Sequence, residues 1–221
     1  ASVGGAQLAA IRRRAVLPAG SISGIRHPLF LNQKDTRYTT NAADVLNGAW
    51  NQKFVLRVIE RLLRDERYNL VLTLLPTNET HGHHQAATLL ALESVESLPE
   101  VARPIVVGVE TVATIDSKPR FPARHDYAAF QTISELPVFT FDRNAQFGFR
   151  DALSYQIVVN WVIAEHKSQG LFQTEYGKHA GESFWLFNLS GPNARKRAAE
   201  LFREIAPDEP SRRSVNLAGL R

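Results

Sequence analysis

The sequence predicts an α/β domain built on a Rossmann-like, mostly parallel sheet flanked by helices. Two observations carry this. Short apolar runs of strand length alternate with longer amphipathic stretches, and that alternation favours parallel strands joined by helical crossovers. One run, Asn69 to Leu75 (NLVLTLL), is continuously apolar, as expected of a strand buried on both faces.

The elements follow in order. His27 to Leu31 (HPLFL) is a candidate strand. Ala43 to Arg64 carries Leu46, Trp50, Phe54, Val58 and Leu62 at one per turn, which predicts one long helix with a single buried stripe. The apolar run at 69–75 follows as a strand, and His84 to Leu98 as a helix. Pro104 to Val109 (PIVVGV) and Pro137 to Phe141 (PVFTF) read as strands. Ala152 to His166 is expected to be helical through Leu153, Ile157, Trp161 and Ala164. Phe184 to Phe187 (FWLF) reads as a late strand. Pro192 to Ile205 reads as a terminal helix with Pro near its first turn. Residues 1–206 form one domain on this reading, and 207–221 a polar, Pro-rich tail.

Composition narrows the functional classes. The chain has 221 residues, 44% hydrophobic and 22% charged, ordinary values for a globular domain. A net charge of +4 is mild and dispersed. Without a basic tract interleaved with aromatics, no nucleic-acid partner is expected. No apolar run is long enough for a membrane span. The start lacks a basic stretch followed by an apolar one, so no leader is expected there. The absence of Cys excludes disulfides, thiolate catalysis and Cys-based zinc sites. The absence of Met makes Ala1 an unexpected translation start. Either a monomer or a homo-oligomer is compatible with the sequence.

In open α/β sheets, function gathers at the carboxyl ends of strands. The loop after Leu75 reads Pro76-Thr77-Asn78-Glu79-Thr80-His81-Gly82-His83-His84. Three His in four residues between a buried strand and a helix suit either of two roles. Neutral imidazoles can ligate a metal or move protons. Alternatively they cap the helix and face solvent. Adjacent His residues do not easily ligate one ion together, so one ligand and one acid/base group fit the spacing better. Near Ala164-Glu165-His166-Lys167-Ser168-Gln169, His166 and Gln169 share a helix face three residues apart. A polar helix end, with His at the negative end of the dipole, is the other reading of that segment.

The strand, the Pro-x-Asn-x-x-His-x-x-His string and the helix opening on Ala residues together resemble the metal segment of PIG-L/LmbE-type de-N-acetylases. The segment around His166 resembles the A-x-H-x-S-Q segment of the same family. Leu8 to Ile25 is similar to its R-x-x-E helix and following turn. The resemblance runs from about Leu8 to Phe187. It implies a zinc-dependent hydrolase that removes the acetyl group from an N-acetylglucosamine-type sugar. It makes His84 the zinc ligand and His81 the group that stabilises the oxyanion or protonates the leaving amine. Arg12, His166 and Gln169 become contacts to an amino-sugar substrate.

Three departures stand out. Gly82-His83 occupies the place of Pro-Asp, and Ala15 that of the family's Glu. The A-H-P-D-D-E motif, which supplies a His and an Asp to zinc and the Asp general base, is absent; Arg26-His27-Pro28-Leu29 is the nearest string. The resemblance places that motif before Ala1. A relative that has lost it, binding carbohydrate without catalysis, is the alternative from a different class. A third reading, another metal hydrolase, would draw ligands from Asp116, Asp126 or Asp142.

Overall fold

The computed structural model describes residues 5–124, 126–169, 179–205 and 215–216. In chain order the elements are α1 (Gly5–Ile22), α2 (Ala42–Leu46), α3 (Gln52–Glu66), β1 (Leu70–Leu74), α4 (Gly82–Glu96), β2 (Ile105–Val112), β3 (Phe139–Asp142), β4 (Gln146–Phe147), β5 (Leu153–Ser154), α5 (Tyr155–Glu165), β6 (Gly181–Leu186), α6 (Ala194–Glu204) and β7 (Val215–Asn216). The main sheet runs β1-β2-β6-β3-β7.

This is an α/β fold with a mixed sheet rather than a mostly parallel one. Among the described residues only β1 and β2 pair in parallel, with Leu72 opposite Val107. Strand β6 runs antiparallel to both β2 and β3, and β7 antiparallel to β3. The physical reason lies in the connections. A parallel pair needs a long crossover, usually a helix. Helix α4 supplies one between β1 and β2. Among the described residues, the path from β2 to β3 holds one short 3-10 turn and otherwise irregular backbone.

The helices divide between the faces. Helices α2, α3 and α4 cover one face, where Val45, Val55, Leu63, Leu89, Leu90 and Leu92 pack against Val106 and Phe187. Helix α6 covers part of the other, with Ala198, Ala199 and Phe202 against Val107, Phe139 and Phe184. No residue of α5 is buried; that helix packs mainly against α1.

Three expectations change. The candidate strand at 27–31 is irregular backbone; Pro28 offers no N–H to a ladder and Leu29 lies exposed. The long helix at 43–64 is two helices. Asn47 ends α2, and the Asn51 side chain caps α3 by accepting from Phe54 N at 3.1 Å. Between them Trp50 donates its indole N–H to Lys34 O. The break also turns the buried face, so Val55 and Leu63 are inside while Phe54 is exposed. The run at 69–75 is not covered on both faces, because β1 is an edge strand with Leu72 and Leu74 exposed. In the tail, Val215–Asn216 pairs with Thr140 and Phe141; its other residues lie outside those described.

Candidate functional site

The histidine loop is held from below before any histidine is placed. Thr80 Oγ1 donates to Leu75 O at 2.8 Å, and Thr77 and Thr80 exchange hydrogen bonds. Gln85 is fully buried in the first turn of α4. Its Nε2 donates to Thr40 O and Thr80 O at 2.7 and 2.6 Å. Its Oε1 accepts from Arg124 Nη1 at 2.9 Å. Arg124 also bonds Pro76 O and pairs with Asp126. A buried polar group satisfied at every position rigidifies its surroundings.

Gly82 brings the 36–41 segment onto the helix start. Its N–H donates to Thr39 O at 2.7 Å. A Cβ there would lie 2.7 Å from Asn41 O, so only glycine allows the approach.

His81 is the N-cap of α4. Its Nδ1 accepts from His83 N at 3.2 Å. The His83 ring lies against it, Nδ1 to Nδ1 at 3.1 Å, ring centroids 4.7 Å apart. The far side of His83, at Nε2, meets Thr36 N at 3.1 Å and Thr36 Oγ1 at 3.0 Å. Tyr38 contacts His81 edge-on with centroids 4.8 Å apart, and the His84 ring is 5.6 Å from that of His81. His83, at 9% exposure, is a buried hub rather than a solvent-facing residue. His84 is exposed.

Arg12 reaches the cluster indirectly. It pairs with Asp35, whose Oδ1 lies 3.8 Å from His83 Nε2. Arg13 instead bonds Asn32. Arg12 Nε is buried with no hydrogen-bond partner among the described residues. An open hollow lined by Lys34, Thr36, Arg37, Thr39 and Asp44 adjoins the cluster through Thr36.

His166 caps the end of α5, donating its backbone N–H to Ile163 O, and Gln169 N donates to His166 O at 2.8 Å. Among the described residues no hydrogen bond, ion pair or ring contact joins His166 or Gln169 to the histidine cluster. The three alternative carboxylates do not join it either. Asp126 is paired with Arg124, Asp142 accepts from Asn144 N, and Asp116 lies exposed in the loop after β2.

Asp35, Thr36 and Tyr38 are the site residues that sequence reasoning missed. They lie on irregular backbone between α1 and α2, and no spacing marks them. Only their contacts do.

Burial lowers the pKa of His83 from its ordinary value of 6.5, His81 lowers it further, and Asp35 partly restores it. The His84 ring is also lowered, first by the protein packed along its inner side and then by His81 and His83. Both therefore favour the neutral form, the one that binds a metal. A histidine depressed in the folded state contributes stability above its unfolded pKa, which is lost as pH falls through the folded value. The urea midpoint is accordingly expected to drop as pH falls from about 7.5 to about 5, a window in which most carboxylates stay ionised. His83→Phe should flatten that dependence. A midpoint that stays level or rises over this window would contradict the depressed pKa values.

Among the described residues, His84 keeps both ring nitrogens for a metal and His81 keeps Nε2. A catalytic zinc takes three protein ligands. Among the described residues no group of three His, Asp or Glu side chains is arranged to hold a metal ion. His83 uses both ring nitrogens within the fold, and His81 uses Nδ1. No helix among the described residues is long and apolar enough to cross a membrane. No protein-family model, curated protein or solved structure matches this chain.

Proposed function

We propose that this chain belongs to a zinc-dependent hydrolase of the PIG-L/LmbE type, with a Rossmann-like sheet, that releases acetate from an N-acetylglucosamine-type sugar or glycoconjugate. The observation that carries the reading is the convergence of His81, His83 and His84 at the first turn of α4, with Arg12 drawn to them through Asp35.

His84 would be one ligand of the zinc, which when bound polarises the acetamide carbonyl and lowers the pKa of a water toward neutrality. The chain's own groups supply the rest. His81 sits at the positive end of the α4 dipole, a favourable place for developing negative charge. Its Nε2–H is free to donate a hydrogen bond to the oxyanion. Water adds to the carbonyl carbon, its proton passes to the leaving nitrogen, the C–N bond breaks, and acetate and the free amino sugar leave. Arg12, and the hollow beside Thr36, would hold the sugar, with His166 and Gln169 at the rim.

A second reading starts from the described residues, among which no three ligands converge on one point. On it, the chain binds an amino sugar without cleaving it. Full-length protein purified with zinc, incubated with N-acetylglucosamine and with its inositol conjugate, separates the two. Acetate release that a chelator stops and zinc restores supports the hydrolase. Saturable sugar binding without acetate release supports the binding protein.

A further inference from the structure

Two backbone donors fix the protonation pattern of the histidine pair. Thr36 N–H points at His83 Nε2, so that nitrogen is an acceptor and carries no hydrogen. His83 N–H points at His81 Nδ1, so that nitrogen too is an acceptor. A neutral imidazole has one N–H, and it lies on the nitrogen that is not accepting. His83 therefore carries its hydrogen on Nδ1, and the 3.1 Å contact runs from His83 Nδ1–H to His81 Nδ1. By the same rule His81 carries its hydrogen on Nε2. Without the His83 ring, His81 would keep the backbone N–H of residue 83 at its Nδ1, and with it the tautomer, but would lose the ring contact that fixes its plane.

From this chain of hydrogen bonds we infer that His83 is a positioning residue: fixed by Thr36, its ring holds the His81 ring in one orientation, while the backbone N–H of residue 83 sets the Nε2–H tautomer. The consequence is a donor aimed outward from the start of α4, where an accepting oxygen can meet it. The neighbours fit that role. Trp50 packs against the His83 ring, with centroids 5.9 Å apart, and Tyr38 closes the edge of His81. Gly82 N–H to Thr39 O and Gln85 to Thr40 O hold the segment that carries Thr36. Outer partners of this kind usually change activity by about 10–100-fold when removed. The catalytic part of this inference rests on the deacetylase reading; the tautomer part does not.

The test uses full-length protein with 15N-labelled histidine, and two variants. Long-range proton–nitrogen NMR correlations report which ring nitrogen of each histidine is protonated. In the wild type His81 should be bare at Nδ1 and protonated at Nε2, and His83 the reverse. In His83→Phe, His81 should keep that tautomer but lose its fixed ring orientation, read as weakened nuclear Overhauser contacts between the His81 and Tyr38 rings. There kcat on N-acetylglucosamine should fall roughly tenfold, with KM within about twofold and zinc retained. His83→Asn places an amide N–H near the lost Nδ1 and should restore the His81–Tyr38 contacts and most of kcat. A wild-type His81 protonated at Nδ1 overturns the inference. So does a His83→Phe protein that keeps the His81–Tyr38 contacts and full kcat. Should His83→Phe fail to fold, the wild-type spectrum and the Asn variant decide. Should the wild type release no acetate, the deacetylase reading fails and the ring spectra still decide the role of His83.

Discussion

His84→Ala is expected to leave a folded protein that no longer retains zinc and releases no acetate above background. His81→Ala is expected to keep zinc and lose roughly 10²–10³-fold in kcat, the span of a removed oxyanion donor. The two histidines differ in what the fold asks of them. The His84 side chain touches the His81 ring, makes no hydrogen bond among the described residues, and is exposed on the first turn of α4. Its removal should change stability by less than about 0.5 kcal/mol. His81 caps the helix through Nδ1, so its removal adds a stability loss of about 1 kcal/mol. Metal content, kcat and urea midpoint measured on both variants therefore give two distinct patterns. Full zinc content in His84→Ala, or full turnover in His81→Ala, would sink the assignment of that residue.

The location of this site was legible because its histidines are contiguous in sequence. A buried strand followed by three His in four residues marks the carboxyl end of β1, and the structure puts the cluster there. The internal order of the cluster was not legible. Spacing could not say that His83 would turn inward onto Thr36 while His84 turned outward. That choice is made by Gly82, whose missing Cβ lets Thr39 and Asn41 close on the helix start. The partners Asp35 and Thr36 lie 48 and 47 residues away from His83 in sequence. Long-range contacts of irregular backbone leave no periodic trace. Arg12 shows the same limit from the other side. It is one of three consecutive arginines, and only the folded chain shows that it, not Arg13, reaches Asp35.

Leu75→Ala is expected to cost about 2–5 kcal/mol, whereas Leu72→Ala, three residues earlier in the same apolar run, should change stability by less than about 0.5 kcal/mol. From sequence the two look alike, since both belong to a run that reads as buried on both faces. The sheet separates them. Leu75 is 2% exposed and packs with Phe121 and Trp185, and its Cδ1 lies close enough to Gly108 that a Cβ there would sit 2.9 Å away. Deleting it leaves a cavity that the strand backbone cannot close, because Leu75 N–H is bonded to Val109 O. Leu72 is 56% exposed on an edge strand whose outer face, at its position and at Leu74, is left uncovered. An apolar run states that a strand can be buried. It does not state which edge it takes or how far a covering helix extends, and the cluster under α6 takes in Leu70 of β1 but leaves Leu72 and Leu74 exposed. Leu75 also precedes the histidine loop directly, and its carbonyl accepts from Thr80 Oγ1. Its loss should therefore loosen the site as well as the core, lowering the zinc affinity of Leu75→Ala while Leu72→Ala keeps that of the wild type. Urea unfolding and zinc titration of the two variants check both parts. Equal destabilisation by the two substitutions would mean that another surface covers Leu72 in solution.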